Sequence, residues 1–293
     1  PGSAGLAGAP TPPGGIERYG SGFLSPSFQG STFRPEGEPV AHARGAHTGT
    51  ERETSRRRLL DALDRREGGT DPAIEAALAN YELAFRMQAT VPGLADLGTE
   101  SAATRELYGI DAEYAPQATF ARQCLLARRL VEKGVRFVQV SMVRTGHDRW
   151  DQHGNLVQGH GDNARAVDQP VAALLADLES RGLLDSTLVL FGGEFGRTPM
   201  AQGQGDGPNR GRDHNPHGFS IWLAGGGVKG GTAHGATDEF GYFAGEDPVE
   251  MHDLHATLLH LLGLDHTRLT VRFDGRDMRL TDVFGHVQHA WLA

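Results

Sequence analysis

Residues Asp185 to Pro216 read DSTLVLFGGEFGRTPMAQGQGDGPNRGRDHNP, and this stretch is the main basis for predicting the fold. Residues 187–191 form an uninterrupted apolar run closed by a Gly-Gly pair, which is typical of a fully buried strand in a parallel sheet. Glu194 and Arg197 follow at once, and a long Gly- and Asn-rich loop leads to residues 212–214. Since ligands bind beyond the carboxyl ends of strands in open α/β sheets, this position favours a functional site. A solvated polar loop is the alternative.

A second polar cluster follows an earlier predicted strand, residues 135–140, which is preceded by a predicted helix over 117–133. Residues 145–155 (TGHDRWDQHGN) come directly after it. If the two strands are neighbours, both clusters meet at one edge of the sheet. The chemically useful side chains they would bring together are His147, Asp148, Asp151, His153, Glu194, Arg197, Arg212, Asp213 and His214.

These side chains indicate metal and anion chemistry. Carboxylates mixed with imidazoles, without thiolates, suit Zn²⁺, Mn²⁺ or a similar cation. Arg197 and Arg212 have the guanidinium geometry that holds the non-bridging oxygens of a phosphate or sulfate. The side chains of Asp151 and His153 point to one side only in extended chain, so this Asp-x-His pair needs a strand or loop, which its position provides. For each histidine, a hydrogen-bonded or surface imidazole is the alternative.

Composition limits the function classes. The chain has 293 residues, a net charge of −9 and a pI near 5.9, which argue against a nucleic-acid partner. No apolar run reaches the length of a membrane span. The single cysteine, Cys124, cannot form an intramolecular disulfide, and its helical apolar position predicts a core residue.

Two regions are predicted along the chain. Residues 1–54 are Gly- and Pro-rich and are expected to be irregular chain packed on the remainder, while residues 55–293 are expected to be an α/β domain. Helices are predicted to begin near residue 56. One helix starts at residue 71, and others cover 100–108, 117–133, 163–181 and 248–262, while the predicted strands are 135–140, 187–191 and 219–223. A short hairpin or loops are predicted for 231–245, and a turn for 273–276.

Several passages carry a family resemblance: GVRFVQV, WDQHGNL, TLVLFGGEFGRTP, GRDHNP and WLAGGGVKGG. They resemble the bacterial DUF1501 family, often described as sulfatase-like, within the alkaline phosphatase–sulfatase superfamily. The resemblance runs from about Gly15 to the C-terminus. It implies a three-layer α/β/α sandwich with a mostly parallel sheet, metal ligands at strand ends, hydrolysis or transfer of sulfate or phosphate esters, and a periplasmic or extracellular location.

The chain also differs from the superfamily pattern. Glu194 and Phe195 stand where the superfamily usually has Asp with His or Asn, and no motif matches its nucleophile or its first metal-binding Asp. We therefore expect the chain to be the C-terminal portion of a longer member that lacks the N-terminal strands.

The resulting prediction is a metal-dependent hydrolase of sulfate or phosphate esters. Its divalent ion (Zn, Mn or Ca) would be held by Asp151, His153, Glu194 and His214, with Asp213 as a further ligand or as a carboxylate that orients one. Arg197 and Arg212 would bind the small anionic ester. The alternative is an exported binding or scaffold protein that keeps the fold without turnover.

Overall fold

The computed structural model describes only part of the chain, namely residues 3–6, 20–22, 24, 28–34, 55, 58–59, 62, 91–143, 145–146, 149–203, 207 and 210–293. The predicted boundary at residue 54, the helix predicted from residue 71, and the candidates His147 and Asp148 lie outside these residues. Those expectations therefore stay predictions.

The described elements form a mixed α/β chain. The helices are α1 (Ala102–Tyr108), α2 (Ala115–Glu132), α3 (Leu156–Ser180) and α4 (Met251–Leu261), with 3-10 turns at Leu97–Thr99, Leu184–Ser186 and His289–Trp291. The strands are β1 (Ser3–Leu6), β2 (Ser31–Phe33), β3 (Phe137–Val140), β4 (Val189–Phe191), β5 (Gly196–Gln202), β6 (Gly211–Asn215), β7 (Trp222–Ala224), β8 (Ala236–Thr237), β9 (Ala244–Glu246), β10 (Thr270–Phe273) and β11 (Arg276–Arg279).

The sheets differ from the single, mostly parallel sheet that was predicted. Strand β1 lies between β2 and β3 in a three-stranded parallel sheet, and the remaining described strands form antiparallel pairs: β4 with β7, β5 with β6, β8 with β9, and β10 with β11. Strands β1 and β2 lie in the region predicted to be irregular. Their sequences, SAGL and STF, are too short to show an alternating pattern.

Strand β4 shows why the prediction of direction failed. It pairs antiparallel with β7, and Phe191 stacks on its register partner Trp222 with ring centroids 5.4 Å apart. It is also not fully buried, because Leu190 is 41% exposed. An apolar run predicts that a strand forms, but packing between side chains on neighbouring strands determines which strand it pairs with and in which direction.

Most predicted elements are present. The helices and strand expected at 100–108, 117–133, 135–140 and 248–262 correspond to α1, α2, β3 and α4, and the turn at 273–276 joins β10 to β11. Helix α3 begins earlier than expected, at Leu156, directly after Asn155 with a φ of 51°. The prediction of a long loop after residue 194 was wrong in one respect, because this segment contains the β5–β6 hairpin.

Contacts divide the chain into two units, residues 1–144 with 166–174 and residues 145–165 with 175–293. In the first, α2 begins with a proline in its first turn and is followed by Gly134 at a φ of 81°. Its buried face packs into a core made of Phe33, Val91, Leu94, Leu126, Ala127 and Leu130, with Val138 and Val140 of β3 against it. Cys124 is 2% exposed, as predicted for a core residue, and burial raises the pKa of its thiol.

A buried ion-pair network fixes α2. The side chain of Arg128 is 3% exposed and lies 2.8 Å from Glu100 and 2.6 Å from Glu132. We expect Glu100→Ala to destabilise the protein by about 2 kcal/mol, because it leaves a buried guanidinium with one partner fewer. The control is Asp111→Ala, whose exposed pair with Arg105 should contribute less than about 0.5 kcal/mol. Urea unfolding measures both, and equal losses would contradict the argument.

Within the described residues, no helix has the length and apolarity to cross a membrane.

Candidate metal centre

The site is built on the β5–β6 hairpin of the second unit. Its register places Arg197 opposite His214 and Ala201 opposite Arg212, so residues 198–200 form a bulge against Asp213. The Thr198 hydroxyl holds the bulge by accepting the Asp213 N–H at 3.3 Å and donating to the Met200 carbonyl at 3.1 Å. The hairpin therefore places His214 and Arg197 directly opposite each other on adjacent strands.

The segment that follows Trp150 docks along β6. The Arg212 N–H donates to the Gln152 carbonyl at 3.0 Å, and the Leu156 N–H donates to the Arg210 carbonyl at 3.1 Å. Gly211 permits this close approach, since a Cβ there would overlap the backbone carbonyl of His153. On the helix side, Gln152 is 1% exposed and its side chain fills the space left by Gly159. The backbone before α3 is thereby fixed against the hairpin.

A tight turn, rather than extended chain, brings Asp151 and His153 together. The His153 N–H donates to the Asp151 carbonyl at 3.0 Å, which closes a three-residue turn around buried Gln152. The pair was expected to need a strand or a loop to bring both side chains to one side, and this turn does so.

Three potential ligand atoms converge, although the residues that carry them are up to 63 positions apart in the sequence. Asp151 Oδ1 lies 2.8 Å from His214 Nε2 and 3.1 Å from His153 Nε2, and the two imidazole nitrogens are 3.1 Å apart. Among the described residues, Asp151, His153 and His214 are the group with ligand atoms close enough to share an ion. Their side chains are 53%, 41% and 44% exposed, so the centre is open to solvent.

The spacing and chemistry of this donor set fit a divalent cation. Zinc–nitrogen distances of about 2.0–2.1 Å put neighbouring ligands roughly 3.3 Å apart in a tetrahedron and roughly 2.9 Å apart in an octahedron. The observed separations of 2.8, 3.1 and 3.1 Å lie close to the octahedral value and are shorter than the tetrahedral one. Two imidazoles and one carboxylate suit Zn²⁺ or Mn²⁺ better than Ca²⁺, which prefers six or more oxygen ligands.

Arg197 is engaged with the carboxylate ligand. Its Nη2 donates to Asp151 Oδ1, and its Nε and Nη2 donate to the Trp150 carbonyl at 3.4 and 3.3 Å. Partial burial alone would raise the pKa of Asp151, but hydrogen bonds from His214 and Arg197 and the charge of Arg197 outweigh it and hold the pKa below its usual range. Asp151 is therefore a carboxylate at neutral pH.

Both imidazoles have supporting contacts. His153 Nδ1 lies 2.6 Å from Gln202 Oε1, and the His214 ring packs on Phe195 with centroids 4.4 Å apart. Behind them, Trp150 has a φ of 66°, which is unusual for a bulky residue, and its ring meets His160 edge-on at 5.3 Å. Burial and the Arg197 charge lower the pKa of His160, which favours a neutral ring.

The structure places two of the predicted ligands, Glu194 and Asp213, outside this group. Glu194 lies exposed in the bend between β4 and β5 and is not among the converging ligands. Asp213 neighbours His214 on a strand, where successive side chains point to opposite faces, and its carboxylate accepts the His214 N–H at 2.8 Å. Arg212 shares the His214 face by the same alternation, and its Nη1 donates to the Gly211 carbonyl at 3.1 Å.

Sequence reasoning missed Gln202, Phe195 and Trp150 as supporting residues. Phe195 was noted as a departure from the superfamily pattern, and it provides the surface on which an imidazole ligand packs. The sequence gives no indication that Gln202 supports the site, because its contact with His153 spans 49 positions and depends on the register of the β5–β6 hairpin.

Comparison with known proteins identifies a family but no characterised relative. The sequence model of DUF1501, described as a protein of unknown function, matches residues 6–292. No curated protein and no solved structure matches the chain.

Proposed function

Since this chain belongs to the DUF1501 family, whose function is unknown, we propose its activity from the site itself: a divalent-metal-dependent hydrolase of sulfate or phosphate esters. Asp151, His153 and His214 would hold the ion. The observation that carries the proposal is a convergent donor set that is also exposed to solvent. Structural zinc sites are closed by four protein ligands, whereas catalytic ones have three and an open position.

Each residue has a separate role in this proposal. A bound cation would polarise an ester oxygen or lower the pKa of a water. Asp151 supplies the negative charge among the ligands, and Arg197 fixes that carboxylate through its hydrogen bond. Arg212, on the His214 face of β6, would bind the non-bridging oxygens of the ester. Glu194 and Asp213 lie outside the converging group and would not be ligands.

The resemblance to the alkaline phosphatase–sulfatase superfamily adds two further parts to the proposal. A sulfatase-like sandwich and an exported protein belong to this proposal, and both rest on the motif resemblance.

The alternative is an exported binding or scaffold protein with a structural ion. One observation favours it, since Nε and Nη2 of Arg197 already donate to Trp150 and Asp151 rather than facing a substrate.

Turnover of aryl esters separates the two proposals. Protein stripped with a chelator and reloaded with Zn²⁺ or Mn²⁺ should hydrolyse 4-nitrophenyl phosphate or 4-nitrophenyl sulfate at least about 10-fold faster than the stripped form. Arg212→Ala should raise KM with little change in metal affinity, because Arg212 is not a ligand. Metal binding without turnover on either ester would overturn the hydrolase proposal in favour of the scaffold.

A further inference from the structure

The contact between Gln202 and His153 determines which nitrogen of the His153 imidazole carries the proton. Gln202 closes β5, opposite Gly211, and its Oε1 lies 2.6 Å from His153 Nδ1. An amide oxygen only accepts hydrogen bonds, so the imidazole must donate from Nδ1. In the neutral ring this leaves the lone pair on Nε2, the nitrogen that points at Asp151 and His214.

The other polar contacts of the imidazole are made by Nε2, with Asp151 and His214. The side chain of His153 is 41% exposed, and its ring contacts the His214 ring with centroids 4.9 Å apart. An exposed imidazole samples both tautomers and several ring orientations, and fixing one of them costs conformational entropy. A hydrogen bond from the protein to the far nitrogen supplies that restraint before an ion arrives.

We propose that Gln202 is the positioning residue of the metal centre: by accepting the Nδ1 proton of His153, it fixes the tautomer and ring orientation that present Nε2 to a divalent cation. This inference rests on the proposed function, and it adds a residue that the family resemblance does not point to. Gln202 contacts no ligand atom itself and acts through His153. Its amide oxygen is uncharged, so it orients the imidazole without adding negative charge to the centre.

Zinc affinity tests the assignment. In competition titrations of Zn²⁺ against a chromophoric chelator, Gln202→Met should weaken binding by about 10- to 100-fold, because the side chain keeps its length but loses the acceptor. Gln202→Glu retains an acceptor oxygen and should bind Zn²⁺ at least as tightly as the natural protein. The control is Gln158→Met, since Gln158 pairs with Asp162 on α3 and should leave affinity unchanged.

A second readout reports the tautomer directly. In the metal-free protein, ¹⁵N NMR of the histidine rings should show His153 protonated on Nδ1, and Gln202→Met should move the proton toward Nε2. A purely structural role for Gln202 would lower stability without changing the tautomer.

The outcomes distinguish this inference from the proposed function. If the natural protein binds Zn²⁺ and Gln202→Met binds it equally well with the same tautomer, the positioning role is wrong while the metal centre stands. If the natural protein binds no divalent ion, the proposed function fails. The tautomer in the metal-free protein then decides the role of Gln202, since an Nε2–H ring in the natural protein would overturn it.

Discussion

His214→Ala is expected to weaken Zn²⁺ binding by more than about 100-fold, beyond the loss caused by removing a supporting hydrogen bond. His214 Nε2 lies within 3.1 Å of both other donor atoms, so its removal leaves Asp151 and His153 alone. Two exposed ligands on one turn do not enclose an ion. Isothermal titration of the chelator-stripped protein with Zn²⁺ measures the change, and aryl ester turnover should fall with it.

The control for this variant is His217→Ala. His217 follows β6 and packs against Tyr242 and Phe243, with ring centroids 5.8 and 5.2 Å away, rather than against the ligands. Its loss removes an imidazole from the same region and should leave Zn²⁺ affinity within about 3-fold, since no ligand or supporting contact is lost. Equal affinities for the two variants would show that His214 is not a ligand.

Gly211→Ala is expected to disrupt the centre without changing any ligand. The new Cβ would overlap the His153 carbonyl and lie 2.5 Å from the Gln152 carbonyl oxygen, and these backbone atoms cannot move aside as a flexible side chain can. We expect a loss of about 2 kcal/mol in stability from overpacking. Zinc affinity should fall as well, because the turn that carries Asp151 and His153 must move off β6.

Gly207→Ala provides the comparison, since a Cβ at Gly207 meets nothing within 4 Å among the described residues. It should change neither the urea midpoint nor the affinity for Zn²⁺. If Gly211→Ala behaves in the same way, the turn is not held against β6 as described.

Local pattern was sufficient for the elements with strong periodicity. The apolar spacing of α2 and the β-branched run of β3 predicted both elements, and Gly134 marked the boundary between them. The same reasoning selected Asp151, His153 and His214, whose ligand atoms converge, because their side chains are chemically conspicuous. Their combination as carboxylate and imidazoles was enough to predict a metal site.

Pairing and side-chain direction were not available from local pattern. The sequence of β5, GRTPMAQ, lacks alternation and contains a proline, so the hairpin was interpreted as a loop. Without the hairpin there was no strand alternation to separate Asp213 from His214, so His214 was predicted as a ligand and Asp213 as a further ligand or a carboxylate that orients one. The turn at Gln152 could not be predicted for a related reason, since it depends on docking to β6.

The proposals above share one requirement, that two imidazoles and one carboxylate hold a single ion. X-ray absorption spectroscopy of the protein loaded with one equivalent of Zn²⁺ tests this most directly. We predict an inner sphere with two imidazole nitrogens and at least one oxygen ligand, and one imidazole fewer in His214→Ala. A spectrum with fewer than two imidazoles, or one unchanged in His214→Ala, would contradict the assignment.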